Sequence, residues 1–224
     1  MNDSSQSGLV CPIGEPGCIV IDELQKLRQE LAVVSELVHT DTLTGLNNYR
    51  FLIPALEQEL ERTRRTGYST GLIMIDLDHF KNINDRYGHD NGNLALRHAA
   101  AMIRSSIRKM DIPCRFGGEE FSVVLPSSDL TSCIQVAERI RRNMMDTPVL
   151  LGDVSLTVTA SMGLALYNTV STGGAEALIK TADKYLYDAK KNGRNQVCHP
   201  PIKLAQAASV SEEEKGALFG IFSE

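Results

Sequence analysis

The sequence predicts an α/β fold of the α+β sandwich type: a mixed, largely antiparallel sheet flanked by helices and preceded by an N-terminal stalk helix. Three observations predict it. Segments with helical apolar spacing alternate with short apolar runs of strand length. Two of those runs flank a Gly-Gly turn at 117–118, the pattern of a hairpin. Ahead of them, Val20, Leu24, Leu27, Leu31, Val34 and Val38 recur at alternating steps of four and three, a heptad seam.

Residues 1–18 carry Ser, Gly and Pro and read as a flexible N-terminus, and 19–40 as the helical coiled-coil stalk. The run from Asp41 to Asn48 is rich in turn and capping residues and breaks that helix. A helix is expected from about Tyr49 to Arg65, striped by Leu52, Leu56 and Leu60 and ended by Gly67. Gly71 to Leu77 reads as a buried strand with Asp76 near its end, followed by a polar loop through Gly92. Leu94 to Arg108 has helical spacing, Pro113–Phe116 and Phe121–Leu125 are the hairpin strands, and Asp129–Met145 is helical again. Val154 to Ala165 reads as a strand region and Ala175 to Lys191 as the last helix, closed by Asn192-Gly193. The segment 199–224, with two prolines and the acidic run Glu212–Glu214, reads as a loose tail.

Bulk properties narrow the function. An apolar fraction of 42 % supports a real core, and a net charge of −5 argues against a surface built to coat a nucleic acid polymer or anionic lipid. An anionic substrate therefore needs a local cation. No apolar run approaches the roughly 20 residues of a membrane span, and the N-terminus lacks the basic start of a secretory signal, so a cytoplasmic location is expected. Five scattered cysteines do not suggest a disulfide framework, and the separation of Cys11 from Cys18 fits no common zinc pattern.

Chemistry concentrates at two places. Asp76 and Asp78 flank Leu77 at the end of the apolar strand, where a charge at the rim of a core is costly unless compensated. A hard divalent cation such as Mg²⁺, which takes one or two carboxylates plus substrate phosphates, compensates it. The turn Gly117-Gly118-Glu119-Glu120-Phe121 sets two like charges side by side after two glycines that let a backbone approach a ligand. Beside the Asp76 strand end, that hairpin completes a metal site able to activate a hydroxyl and stabilise charge on a phosphoryl group.

These motifs together resemble the GGDEF-domain diguanylate cyclases, in a GGEEF variant. In order they are Asp41-Thr42-Leu43-Thr44-Gly45-Leu46, Asp76-Leu77-Asp78-His79-Phe80-Lys81, Asn84-Asp85, Gly88-His89, Arg115 to Phe121, Ala182 to Tyr187, and Lys190 with Gly193-Arg194-Asn195. The likeness runs from Asp41 to Asn195 and implies a palm-like catalytic domain over 41–198. It implies Mg²⁺ (or Mn²⁺), two per active site, bound by the Asp76 side chain, the Leu77 carbonyl, Glu119 and Glu120. Glu119 is then the base for the attacking 3′-hydroxyl, Glu120 supports the second metal, and Lys81 stabilises transition-state charge. Phe80, Lys81, Lys190 and Arg194 fall where the family handles the triphosphate, while Asn84 and Asn93 fall at guanine-contacting positions. Lys190 and Arg194 also suit a helix C-terminus, which favours cations without any ligand.

The implied reaction joins two GTP into cyclic di-GMP, a bacterial second messenger tied to biofilm signalling, with two pyrophosphates released across a homodimer or higher assembly. The stalk would then raise the effective concentration of one domain near another, and with no sensor domain in view it is the expected dock for a separate regulatory protein. Arg108-Lys109-Met110-Asp111 matches the family's inhibitory motif, so Arg108 and Asp111, with Arg139 as a second arginine, are expected to bind cyclic di-GMP as allosteric inhibitor. Two other readings stay open: a non-catalytic receptor for GTP or cyclic di-GMP, and a cyclase using ATP or mixed nucleotides.

Asn93 departs from the family, which usually has an acidic residue there. A carboxylate can accept from both guanine N1–H and the exocyclic amine, whereas Asn offers one acceptor oxygen and a donor group. Losing a charge-assisted bond costs about 1–3 kcal/mol, so guanine should be gripped less tightly than with Asp. Asn93→Asp should lower the KM for GTP relative to ITP and ATP; unchanged KM values for all three refute this reading.

Overall fold

The computed structural model describes residues 23–30, 34, 39–152 and 154–202. The expected flexible segment 1–18 with Cys11 and Cys18, most of the stalk seam including Val20, Leu31 and Val38, and the tail beyond 202 lie outside the described residues. Residues 23–30 and 34 are helical, and Leu24, Leu27 and Val34 of the heptad seam are exposed at 41 %, 49 % and 54 %. Apolar positions left in water on a stalk are what a second helix covers.

The chain then forms β1 (Asn47–Asn48), α1 (Tyr49–Thr66), β2 (Thr70–Leu77), α2 (Phe80–Tyr87) and α3 (His89–Ser105). The hairpin β3 (Ile112–Gly117) and β4 (Glu120–Leu125) follows, then α4 (Leu130–Asp146), β5 (Val149–Leu151), β6 (Val154–Leu156), β7 (Ala160–Tyr167), α5 (Ala175–Lys191) and β8 (Val197–Cys198). Six strands make one sheet in the order β1-β3-β4-β2-β7-β8. β2 pairs antiparallel with β4 and β7, and β3 with β4, while the two-residue edge strands β1 and β8 pair parallel. The expected mixed, largely antiparallel sheet with flanking helices is what the chain forms.

β2 lies at the middle and every one of its residues is buried. Pleat alternation divides them between two cores. Ile73, Ile75 and Leu77 pack with Ala95, Ala99 and Ile103 of α3 and Ala137 and Ile140 of α4. Leu72 and Met74 pack with Leu52, Leu56 and Leu60 of α1 and Leu178, Ala182 and Leu186 of α5. By the same parity Asp76 lies on the α5 side, and so does its register partner Glu120, which shares parity with Val124 in that core. β7 presents Ser161, Gly163 and Ala165 to this side, and a Cβ at Gly163 would collide with the Ala182 carbonyl and the Leu186 amide. The missing side chain lets α5 approach the sheet closely and brings its last turn over the end of β2.

Several boundaries differ from the sequence expectation. The segment read as a polar loop through Gly92 holds α2 and the start of α3. Phe80 and Ile83 are buried one turn apart, Tyr87 packs partly against the same core, and the rest of α2 is polar because only that narrow stripe touches the core. Gly92 is inside α3, where a Cβ would collide with Asn84 Oδ1, so the glycine marks close packing rather than a turn. The helix expected to reach Arg108 stops at Ser105, and Ser106 Oγ donates to the Met102 carbonyl at 2.6 Å. The strand region Val154–Ala165 divides into β6, which closes a small hairpin with β5, and β7, which runs on to Tyr167. The helices expected at Tyr49–Arg65, Asp129–Met145 and Ala175–Lys191 form within a residue of those limits, with Asn48 and Asp129 as N-caps of the first two.

Candidate active site

The site forms where β2 leaves the sheet. Register places Asp76 opposite Glu120 of β4 on one side and Ser161 of β7 on the other. The Leu77 amide donates to the Glu119 carbonyl at 3.3 Å, which ties the hairpin turn to the strand end. Lys190, in the last turn of α5, brings Nζ to 2.7 Å from Asp76 Oδ2. Burial pushes the Asp76 carboxyl above the ordinary carboxylate range, and the Lys190 ammonium offsets only part of that rise. Glu120 is also pushed up, by burial first and then by the charge of Asp76. Two adjacent carboxylates, both discouraged from ionising by burial, make a site that gains from a cation.

The hairpin that carries Glu119 and Glu120 bends at Gly117, where the register slips between Arg115 and Gly117, and turns through Gly118 at φ +48°. Open space surrounds both glycines on the side a Cβ would occupy. Arg115 braces this turn. Its Nη2 donates to the Gly118 carbonyl at 2.7 Å and its Nε at 3.0 Å, while Nη1 reaches both Asp41 oxygens at 3.1 and 3.2 Å. Asp41 also accepts from the Thr44 amide and hydroxyl at 2.8 and 2.6 Å. The Asp41–Leu46 motif thereby anchors the hairpin across 74 residues of sequence. Asp41 and Arg115 stood out in the sequence as motif residues with no assigned task, and the structure supplies one.

Asp78 behaves differently from Asp76. Its oxygens accept from Ser161 Oγ at 2.6 Å, Thr159 Oγ1 at 2.8 Å and the Asn195 amide at 3.0 Å. Asn195 in turn holds Arg141 of α4 through its side-chain oxygen at 3.1 Å. Asp78 is therefore a structural knot rather than a second open carboxylate, and nothing in the spacing Asp-x-Asp distinguishes the two. Arg141 is a further positioning residue with no sequence signal.

The other expected residues group around the same rim. α2 opens with the amides of Phe80 and Lys81, and His79, at φ +56°, provides no side-chain cap, so this helix start is suited to an anion. The Phe80 ring is buried at 6 % exposure, so any substrate contact from Phe80 falls to its main chain. Lys81 is exposed, Asn84 and Asn93 are half-buried on α2 and α3, and Arg194 stands exposed at φ +64° just past α5. The charge of Arg194 reaches Asp76. Arg108, Asp111 and Arg139 gather elsewhere, at the far end of β3 from the hairpin, roughly 17 Å along the strand. The Arg108 amide donates to Asp111 Oδ2 at 2.7 Å, and the buried Asp111 carboxyl is pushed up by burial against the opposing charges of Arg108 and Arg139.

Among the described residues no three His, Cys, Asp or Glu side chains form a preformed metal cage. The donors still fit Mg²⁺ or Mn²⁺: Mg²⁺ in nucleotide sites takes one or two carboxylates and completes its shell with phosphates and water, and the Asp76–Glu120 pair is of that kind.

A mixed sheet whose central strand ends in a carboxylate beside a glycine-rich acidic hairpin, with α1 and α5 on one face and α2, α3 and α4 on the other, defines the palm-like class of α/β sandwiches. The chain belongs to the GGDEF family: residues 38–196 match the family model described as diguanylate cyclase, GGDEF domain. It is 42 % identical over 174 residues to response regulator PleD of Caulobacter vibrioides, covering 76 % of this chain and 38 % of PleD, so the chain spans well under half of that relative. Diguanylate cyclase SiaD of Pseudomonas aeruginosa, solved in complex with its activator SiaC, superposes with a TM-score of 0.70 at 36 % identity, covering 81 % of this chain and 69 % of that one. The coiled coil and GGDEF domain of DgcB from Caulobacter crescentus, solved with c-di-GMP, gives 0.73 at 26 % identity, covering 81 % and 95 %.

The Asp41–Arg115 brace should show in acid. Burial acts to raise the Asp41 carboxyl, but the Thr44 hydrogen bonds and the Arg115 charge outweigh it and hold it below the ordinary range. A carboxyl lowered by folding contributes stability that is complete above its unfolded pKa and is lost as pH falls through the folded value. Urea midpoints of the wild type and Asp41→Asn should therefore differ at neutral pH and converge in acid. A gap that stays constant with pH means the brace is not formed.

Proposed function

We propose that the chain is a diguanylate cyclase that condenses two GTP into cyclic di-GMP and releases two pyrophosphates, with two copies facing each other. The observation that carries this reading is the register of the acidic hairpin against β2, which sets Glu120 beside Asp76 and the Glu119 turn against Leu77. Asp76, the Leu77 carbonyl, Glu119 and Glu120 would hold two divalent ions, which when bound would supply Lewis-acid stabilisation of the phosphates and a lowered pKa for the attacking hydroxyl.

The residues of the chain do the remaining work. The open amides of α2 with Lys81, Lys190 and Arg194 hold the triphosphate, and Lys81 offsets charge that grows on the phosphoryl oxygens. Asn84 and Asn93 take the guanine base. Glu119, on the exposed turn, accepts the proton of the 3′-hydroxyl of the GTP held by the other copy. One site per domain, open to solvent at Gly117 and Gly118, leaves the second GTP to come from a partner; the exposed Leu24, Leu27 and Val34 supply the pairing face. The same stalk is the proposed dock for a regulatory protein, in line with a relative solved together with an activator.

Arg108, Asp111 and Arg139 form the proposed inhibitory site for the product. Their separation from the hairpin means that product bound there does not compete for the catalytic residues. It acts by holding domains in an arrangement that keeps the two half-sites apart.

Purified chain incubated with Mg²⁺ and GTP, ATP or both, with products identified by mass spectrometry, tests the reaction. Cyclic di-GMP should form from GTP, only where the chain sediments as a dimer, and Glu119→Gln should slow it by about 10²–10⁴-fold, the usual worth of a general base. Binding of GTP without turnover instead establishes the receptor reading, and a mixed or adenine product the alternative cyclase. Arg108→Ala should raise the cyclic di-GMP concentration needed for half-inhibition by about tenfold or more, the loss of one charge-assisted contact pair; unchanged inhibition removes the site assignment.

A further inference from the structure

We propose that Lys190 is an internal placeholder for the divalent cation: it occupies Asp76 in the metal-free chain and must leave before a metal can bind there. The inference rests on Asp76 being a metal ligand, the reading given above, and adds to it a competitor built into the protein.

Among the described residues Asp76 forms its side-chain ion pair with Lys190, whose Nζ lies 2.7 Å from Oδ2, and the carboxylate is 11 % exposed. The fold makes this contact hard to avoid. Pleat parity turns Asp76 and Glu120 toward α5, and the missing side chain at Gly163 brings that helix close enough for its last turn to overhang them. Two like charges at a core rim require a counter-ion, and the ammonium provides one at hydrogen-bond distance. A metal ion bound to a carboxylate oxygen sits at about 2.0–2.1 Å in the case of Mg²⁺. An ammonium hydrogen-bonded to that same oxygen then lies within a few ångströms of the metal, where two cations in a partly buried site repel strongly.

The lysine can leave without cost to the fold. It is the more exposed partner, at 35 %, and a four-carbon stem lets the ammonium swing while α5 stays in place. Asp183, on the same helix seven residues earlier and thus on the same face, already feels the Lys190 charge and offers it a second position. Metal affinity is therefore held down in the empty site and rises when Lys190 is drawn away, as an anionic phosphate chain does. By linkage, metal and nucleotide then strengthen each other's binding through one side chain.

Binding of Mn²⁺ alone, followed by electron paramagnetic resonance of the free ion, tests this on the full chain without nucleotide. Lys190→Met should bind Mn²⁺ about fivefold more tightly than wild type, the equivalent of one partly exposed ion pair. Lys190→Arg, which keeps the charge, should stay near wild type, and Asp76→Asn should lose the site. If Lys190→Met binds no more tightly than wild type while Asp76→Asn still abolishes binding, the placeholder is overturned and the metal site stands. If Asp76→Asn binds as wild type does, the metal does not use Asp76 and both fall together.

Discussion

Two carboxylates forced side by side at the rim of a hydrophobic core are the constraint on which the rest of the structure turns. Asp76 and Glu120 are register partners on adjacent central strands, so neither can move away without breaking the sheet. Burial raises both, with the charge of Asp78 adding to the rise at Asp76 and the charge of Asp76 to that at Glu120. A sequence selected for stability alone has no reason to keep this arrangement, since apolar residues at a paired, half-buried position cost less than two like charges. The proposed divalent cation gives this arrangement a purpose, and Lys190 is the counter-ion the structure shows there.

Such a rim has to be held from outside. Arg115 fastens the hairpin turn through the Gly118 carbonyl and passes the load to Asp41, ahead of β1. Asp78 fastens the other side through Thr159, Ser161 and Asn195, and Asn195 connects to α4 through Arg141. Neither brace meets the open face of the hairpin, which stays free for ligand.

Much of this was legible in the sequence because it rests on local patterns. The all-apolar run 71–75 announced a strand covered on both faces, and Leu52, Leu56 and Leu60 announced the stripe of α1. The motif residues pointed to the end of β2 and to the hairpin, and the register sets those two segments side by side. What could not be read depended on contacts distant in sequence. Asp76 and Asp78 have the same local context, yet one faces α5 and the other is consumed by three donors, a difference decided by β7 and the turn after α5. α2 was hidden because its buried stripe is only Phe80 and Ile83, too short to register as periodicity. Gly92, read as the end of a loop, and Gly163, within the expected strand region, lie inside elements, each making room for a neighbour that sequence spacing does not reveal.

The division of labour along β3 carries the proposed regulation further. One end of the strand becomes the hairpin, and the other begins at Asp111, between Arg108 and the arginine on α4. A rigid strand paired along its length to β4 does not transmit a small push from one end to the other, because its register is fixed by ladder pairs that run from Ile112–Val124 to the buried pair Cys114–Ser122 and beyond. Inhibition through Arg108 and Asp111 is therefore better understood as a rigid-body effect. On the proposed reading, product bridging two domains at this end would set their orientation and stop catalysis by turning the two hairpins away from one another, with each half-site intact. On this view the stalk and the product act on the same variable, the angle between two copies, from opposite sides of the domain.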